Sequence, residues 1–173
     1  MRRTPPRPRI VRTPRGVRLV QGRDVLSDLL AQPGATGGLF DALAACATTL
    51  APPGARRMAL LGFAAGGLVA PLRALGWTGR IEAVDLSRDA EPLFRSLSRG
   101  WAGDVRLTCA EASEWLQRRR QKWDIVVEDL TVPGPQVAIK PRVSFTVLPQ
   151  LVRRRLVPRG ISVVNALPVP GVS

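Results

Sequence analysis

From residue 58 onward, short apolar runs alternate with longer segments whose apolar positions recur at helical spacing. The apolar runs fall at 58–63, 80–85, 105–110, 124–129 and 160–165. The spacing predicts helices over 66–76, 88–99, 111–121 and 143–156. Apolar strands separated by amphipathic helices predict βαβ units, with strands paired in parallel and covered on both faces. Right-handed crossovers make such a sheet doubly wound. With strand order 3-2-1-4-5, a crevice opens at the carboxyl ends of the first and fourth strands. The expected fold class is therefore α/β, a mostly parallel sheet in a three-layer αβα arrangement.

The segments before residue 58 read differently. A helix is predicted over 36–50, capped by Thr36, with an apolar face of Leu39, Leu43, Ala44 and Leu50, and ended by Pro52, Pro53 and Gly54. Residues 17–32 read as a short strand, a turn and a second short segment. Residues 1–18 carry Arg2, Arg3, Arg7, Arg9, Arg12, Arg15 and Arg18 with no acid, and their prolines oppose a regular helix. They are expected to form a flexible basic arm, with 19–173 as a single domain. A loop containing Pro133, Gly134, Pro135 and Pro141 follows the fourth strand. After the fifth strand only 166–173 remain, so the sheet is expected to be truncated at the C-terminus, its edge open or covered by a partner.

Composition narrows the chemistry. The chain has 173 residues and a formal net charge of +13, and Lys122 and Lys140 are the only lysines. The arginine excess has two readings, an anionic partner such as nucleic acid or a bias of composition; the scarcity of lysine and the absence of tyrosine and histidine fit the second. Without histidine, a His general base and a Ser-His-Asp triad are excluded. Cys46 and Cys109 are far apart and lack metal-ligand spacing, so no metal site is expected, and Cys109 reads as a core thiol at a strand end. The N-terminus lacks the apolar core of a signal peptide, and the most apolar window, 58–72, is too short to span a bilayer. A soluble, cytoplasmic protein is expected.

The candidate site lies at the strand ends. The first apolar run stops at Gly62, a small-residue loop reaches Gly67, and the next run closes on Asp85. Glycines admit a ligand close to the backbone, and a carboxylate at that point accepts hydrogen bonds from ribose hydroxyls, so the order points to a nucleoside. Glu111 and Asp129 also fall at or just beyond strand ends. Each position has a plainer role too: tight helix–strand packing for the glycines, a helix cap for Asp85 with Ser87 as rival, a first-turn acid for Glu111, and an ion pair with arginine for Asp129. Glu128 alternates to the other side of its strand. Arg118–Arg120 and Arg153–Arg155 lie on late helical turns, where cations complement the helix dipole.

Residues 58–165 resemble the Rossmann-like fold of class I S-adenosylmethionine (SAM)-dependent methyltransferases, and within it the spermidine synthase-like branch. Gly62-Phe-Ala-Ala-Gly-Gly67 stands at the glycine-rich nucleoside loop, Glu82-Ala-Val-Asp85 at the ribose acid, and Ala110-Glu111-Ala112 at the segment that meets the adenine amine. Trp123-Asp-Ile-Val-Val-Glu-Asp129 matches the fourth strand, whose final Asp faces the reacting amine. The resemblance implies a small transferase that binds SAM or decarboxylated SAM through Gly62, Ala64, Gly66, Gly67, Asp85, Leu86, Glu111 and Ala112, with Asp129 catalytic. It implies a small-molecule amine or other nucleophilic acceptor, and a homodimer. Ala65 and Val132 replace two acids of spermidine synthases, and there are no tyrosines. Methyl transfer is therefore expected ahead of aminopropyl transfer. The same departures leave open a catalytically degenerate binding or scaffold subunit, and the arginine arm leaves open nucleic-acid binding.

Overall fold

The computed structural model describes residues 7–133 and 138–167. The expectations for Arg2 and Arg3, for Gly134 and Pro135, and for the tail 168–173 lie outside these residues.

The chain begins with an antiparallel meander, β1 (Arg9–Thr13), β2 (Gly16–Gln21) and β3 (Asp24–Leu30), in spatial order β1-β2-β3. This corrects the expected arm over 9–18. Past Pro8 nothing interrupts the donors until Pro14, and Ile10 and Val11 pair with Leu19 and Arg18 across β2. The arginines and prolines there had suggested a solvated segment. The inner face of the meander carries Val17, Leu19 and Leu29 into the core.

Helix α1 spans Leu39–Thr49. Its N-terminus is not capped by Thr36. Gly38 is the N-cap, and the Asp41 carboxylate reaches back to accept from the backbone N–H of Thr36 (2.7 Å), Gly37 (2.7 Å) and Gly38 (3.3 Å). The charged acceptor at the third helical position satisfies more orphan donors than the Thr36 hydroxyl, which itself donates to Asp41.

The second sheet contains β4 (Arg57–Leu61), β5 (Arg80–Asp85), β6 (Val105–Cys109), β7 (Trp123–Glu128) and β10 (Leu156–Val164), in the order β10-β7-β4-β5-β6 and all parallel. Between them run α2 (Val69–Ala74), α3 (Glu91–Leu97), α4 (Ala112–Arg118), the two-residue strands β8 (Val132–Pro133) and β9 (Ala138–Ile139), α5 (Val143–Thr146) and α6 (Leu148–Arg155). The helix expected over 143–156 is thus two. Pro149 sits in the first turn of α6, where its missing N–H costs nothing, and the chain re-initiates around it.

Strand residues alternate between two cores. Met58, Leu60, Ile81, Ala83, Ile125 and Val127 face one cluster with α1, α2 and Phe94. Ala59, Leu61, Val84 and Val126 face the other, with Trp115 and Leu116 of α4 and Leu148, Leu151 and Val152 of α6. Burial on both faces explains why the strands read as continuous apolar runs. In register, Leu61 sits opposite Val84 and Glu128, Glu128 opposite Val164, and Asp85 opposite Cys109. The carboxyl ends are therefore level, and the residues just past them share one rim. Among the described residues no helix is long and apolar enough to cross a membrane.

Candidate functional site

The loop after β4 closes on itself. Phe63 and Ala64 both donate their backbone N–H to Asp85 Oδ2, each at 2.7 Å. Gly62 N–H donates to Val84 O (2.9 Å), Gly66 N–H to Phe63 O (2.7 Å) and Gly67 N–H to the Ser27 hydroxyl of β3 (2.8 Å). Gly62 and Gly66 have φ of 89° and 82°, a region that favours glycine. A Cβ on Gly62 would lie 2.7 Å from the carbonyl oxygen of Asp129. A Cβ on Gly66 would meet the rings of Phe94 and Phe63, which pack edge to face, and one on Gly67 would meet Ser27 and Phe40. Protein atoms fill the space beside all three glycines, so their packing role is directly visible. Ala64 also holds a positive φ, 47°. Ala65, beside it, is fully buried in the core.

Asp85 ends β5 and holds this loop in place. Its Oδ1 accepts from Ser87 N–H at 3.1 Å, which leaves that oxygen with capacity for one more donor. Leu86, the next residue, is 73% exposed. Glu111 caps α4, accepting at Oε2 from Glu114 N–H (3.0 Å) and from the Ser113 hydroxyl. Burial raises its proton affinity, but those hydrogen bonds outweigh it and hold the carboxyl below its ordinary range. Its Oε1 accepts no hydrogen bond among the described residues. Ala112 is buried behind it. Cys109 is exposed, not a core thiol: β6 is the sheet's edge, and the thiol turns to Leu86 O at 3.3 Å.

Asp129 follows β7 and is tied to the end of β4, its N–H donating to Leu61 O at 2.8 Å. Asn165, just past β10, donates its side-chain amide to Asp129 Oδ1 at 2.7 Å and its backbone N–H to Glu128 O at 2.9 Å. Burial raises the proton affinity of Asp129; Asn165 and then Lys140 oppose that, Glu128 adds to it, and the carboxyl ends above its ordinary range.

Under this carboxylate lies a pair that the sequence reading missed. Lys140 Nζ donates to Glu128 Oε1 (2.9 Å) and to Leu130 O (3.0 Å), and the two residues are only 3% and 2% exposed. Leu130 N–H (2.9 Å) and the Ser144 hydroxyl (3.3 Å) also donate to Glu128 Oε1. One signal was available: Lys140 is one of two lysines in a chain that otherwise writes its cations as arginine. Asn165 left no such mark.

The rim thus gathers Asp85, Leu86, Glu111, Asp129 and Asn165 from separate strand ends. A cavity of 340 Å³ lies elsewhere, lined by Thr13, Arg15, Arg18, Asp28 and Thr36. Its guanidinium groups are committed, Arg18 to Asp28 at 2.7 Å and Arg15 to Ala35 O at 2.8 Å. Among the described residues no group of three metal-ligating side chains could hold an ion.

No protein-family model matches the sequence, and no curated protein does. Solved structures do match its fold. CalS10, a SAM-bound amino pentose methyltransferase from Micromonospora echinaspora involved in calicheamicin biosynthesis, aligns with a TM-score of 0.56 at 20% identity, over 78% of this chain and 53% of that one. The fold is one that SAM-dependent methyltransferases of known structure share. A SAM-dependent methyltransferase from Agrobacterium tumefaciens aligns over 95% of this chain and 54% of its own, with a TM-score of 0.57 and 19% identity. Precorrin 8w decarboxylase of Methanobacterium thermoautotrophicum aligns over 83% and 71%, with a TM-score of 0.54 and 22% identity. The chain spans about half the length of the first two of these structures.

Proposed function

We propose that this chain is a SAM-binding methyl transferase domain whose cofactor lies across the carboxyl rim of a doubly wound, three-layer sheet. The observation that carries the reading is the level row of strand ends, which brings Asp85, Leu86 and Glu111 to one side of the loop and Asp129 to the other. The residues fit an adenosine. Asp85 Oδ1 retains one acceptor position for a ribose hydroxyl, Leu86 offers an exposed apolar side chain for the base, and Glu111 Oε1 is unengaged for an exocyclic amine. The loop of Gly62, Ala64, Gly66 and Gly67, with Ala112 behind, shapes the floor. When bound, SAM supplies a sulfonium methyl carbon open to displacement; the chain's part is to bind, orient and manage a proton.

Asp129 is the acceptor-side base in this reading. A carboxyl whose proton affinity is raised takes a proton from an amine or other nucleophile more readily than an ordinary one. The acceptor is a small molecule of that class. Of the spermidine synthase-like features, the chain keeps the order of motifs but not the acids. Ala65 is wholly buried, so no side chain from that position reaches an amino-acid tail. Methyl transfer with intact SAM is favoured over aminopropyl transfer with its decarboxylated form. Isothermal calorimetry with SAM, S-adenosylhomocysteine and decarboxylated SAM tests this. Micromolar binding of the first two is expected, and binding weaker than millimolar for all three overturns it.

A second reading has its own support. Asp85 is largely spent on the loop amides, and the spaces beside the glycines are filled, as expected of a methyltransferase-fold subunit kept for binding or scaffolding. The β10 edge, with no strand beyond it among the described residues, would then be the docking side, for a second copy or another chain. The same calorimetry separates the two readings.

A further inference from the structure

We propose that Asn165 is a positioning residue for Asp129: its side-chain amide pins one carboxylate oxygen and leaves the other to meet the acceptor. The inference rests on the reading of Asp129 as acceptor-side base, and it assigns a role to a residue read from the sequence only as the end of the fifth strand, 160–165.

The geometry is specific. Asn165 is 6% exposed and bonded to consecutive residues of the neighbouring strand end, through its backbone to Glu128 O (2.9 Å) and through its amide to Asp129 Oδ1 (2.7 Å). The ionised carboxylate only accepts, so in that state the Asn165 nitrogen is the partner. Among the described residues, Asp129 Oδ2 accepts no hydrogen bond. Lys140 is the nearby cation, but its hydrogen bonds go to Glu128 Oε1, Leu130 O and, at 3.5 Å, Glu128 O. It acts on Asp129 only through its field, against the opposing field of Glu128. Asn165 is therefore the direct donor that both aims the Asp129 side chain and favours its ionised form.

Removing that donor has a defined sign. Burial already raises the proton affinity of Asp129, and the Asn165 hydrogen bond is the leading opposing cause. Without it, Asp129 holds its proton to higher pH and its free oxygen loses a fixed direction.

The test is an NMR pH titration of ¹³C- and ¹⁵N-labelled protein without cofactor. Asp129 is assigned by its absence in D129N. In the wild type, the Asn165 side-chain amide should follow the Asp129 midpoint, and that dependence should vanish in D129N. In N165A the Asp129 midpoint should move up the pH scale. In N165D the two adjoining carboxyls should titrate as a coupled pair with separated midpoints. An Asn165 amide that ignores the Asp129 titration in the wild type overturns the proposal even if neither variant folds. So does an unmoved midpoint in a folded N165A. Calorimetry with SAM is run separately: its failure removes the transferase reading and leaves the pairing intact, whereas a bound cofactor with an indifferent Asn165 removes only the present inference.

Discussion

Gly62 → Ala places a methyl group where β4 and β7 hand their chains to the rim. Two costs add. The first is conformational: at φ of 89° an L-residue is strained by about 1–2 kcal/mol. The second is steric: the new Cβ would lie 2.7 Å from Asp129 O, 2.9 Å from its carbonyl carbon and 3.2 Å from Leu130 N. These are backbone atoms, which cannot rotate away, and such overpacking costs about 1–3 kcal/mol. Gly76 supplies the control. Its φ is 85°, but nothing lies within 4 Å of its Cβ position, so Gly76 → Ala carries the first cost alone. The gain from stiffening the unfolded chain, about 0.4–1 kcal/mol, is common to both and cancels in the difference. Urea denaturation followed by tryptophan fluorescence should therefore place Gly62 → Ala about 1–3 kcal/mol below Gly76 → Ala. At a slope of about 2 kcal/mol per molar urea this is a midpoint difference of about 0.5–1.5 M. Equal midpoints would mean that the two loops do not touch at Asp129, and the proximity of the glycine loop to the proposed base would lose its support.

Three further outcomes follow from the same contacts. Asp85 → Asn weakens a carboxylate that holds two loop amides; a fall in stability of about 1–3 kcal/mol by urea denaturation is expected, with at least a tenfold loss of SAM affinity by calorimetry. Lys140 → Met leaves the Glu128 carboxylate buried and uncompensated, a loss of about 3–5 kcal/mol by the same denaturation assay, most of which the double variant with Glu128 → Gln should recover. Asp129 → Asn tests the pH linkage through stability curves at several pH values. Because the folded-state proton affinity of Asp129 is raised, its favourable contribution is present at acid pH and lost as pH rises through its folded titration. The variant should thus be the more stable protein at neutral pH and lose that advantage below the ordinary carboxyl range. Glu111 has the opposite sign: its contribution is complete above the ordinary carboxyl range and disappears as pH falls through its lowered folded value.

How much of this was legible in the sequence depended on how local its cause was. β5 was expected over 80–85 and runs Arg80–Asp85, because an alternating apolar run that closes on an acid needs only its own residues to be read. The meander at 9–18 was missed for a converse reason. Six arginines and four prolines in the first 15 residues dominate the composition, while the two residues that commit the strand, Ile10 and Val11, are visible only against their partners in β2. The division between α5 and α6 was in principle readable, since Pro149 stands in the middle of an apparent helix.

The site shows the limit most sharply. Asp85, Glu111 and Asp129 announce themselves as acids at strand ends, but what determines their chemistry comes from far along the chain. Lys140 is 12 residues from Glu128 and Asn165 is 36 from Asp129. No periodicity links such positions; for Asn165 the parallel register of β7 and β10 does, by setting Val164 level with Glu128, and for Lys140 the short β8–β9 pair turns the chain back toward β7. A buried ion pair is a poor source of stability, since desolvating both charges offsets most of their attraction. Its presence beneath the one rim carboxyl whose proton affinity is raised is better explained by what it does to that carboxyl. Burial has the largest influence on Asp129 and raises its proton affinity; Glu128 and Lys140 oppose one another there, which leaves the Asn165 hydrogen bond as the leading influence against burial. Of the two, Lys140 acts the more strongly on Asp129 and lowers its proton affinity; replacing the pair with apolar residues of similar volume should therefore leave stability nearly unchanged while moving the Asp129 midpoint a little up the pH scale, and a titration curve that survived the replacement unmoved would make the pair purely architectural.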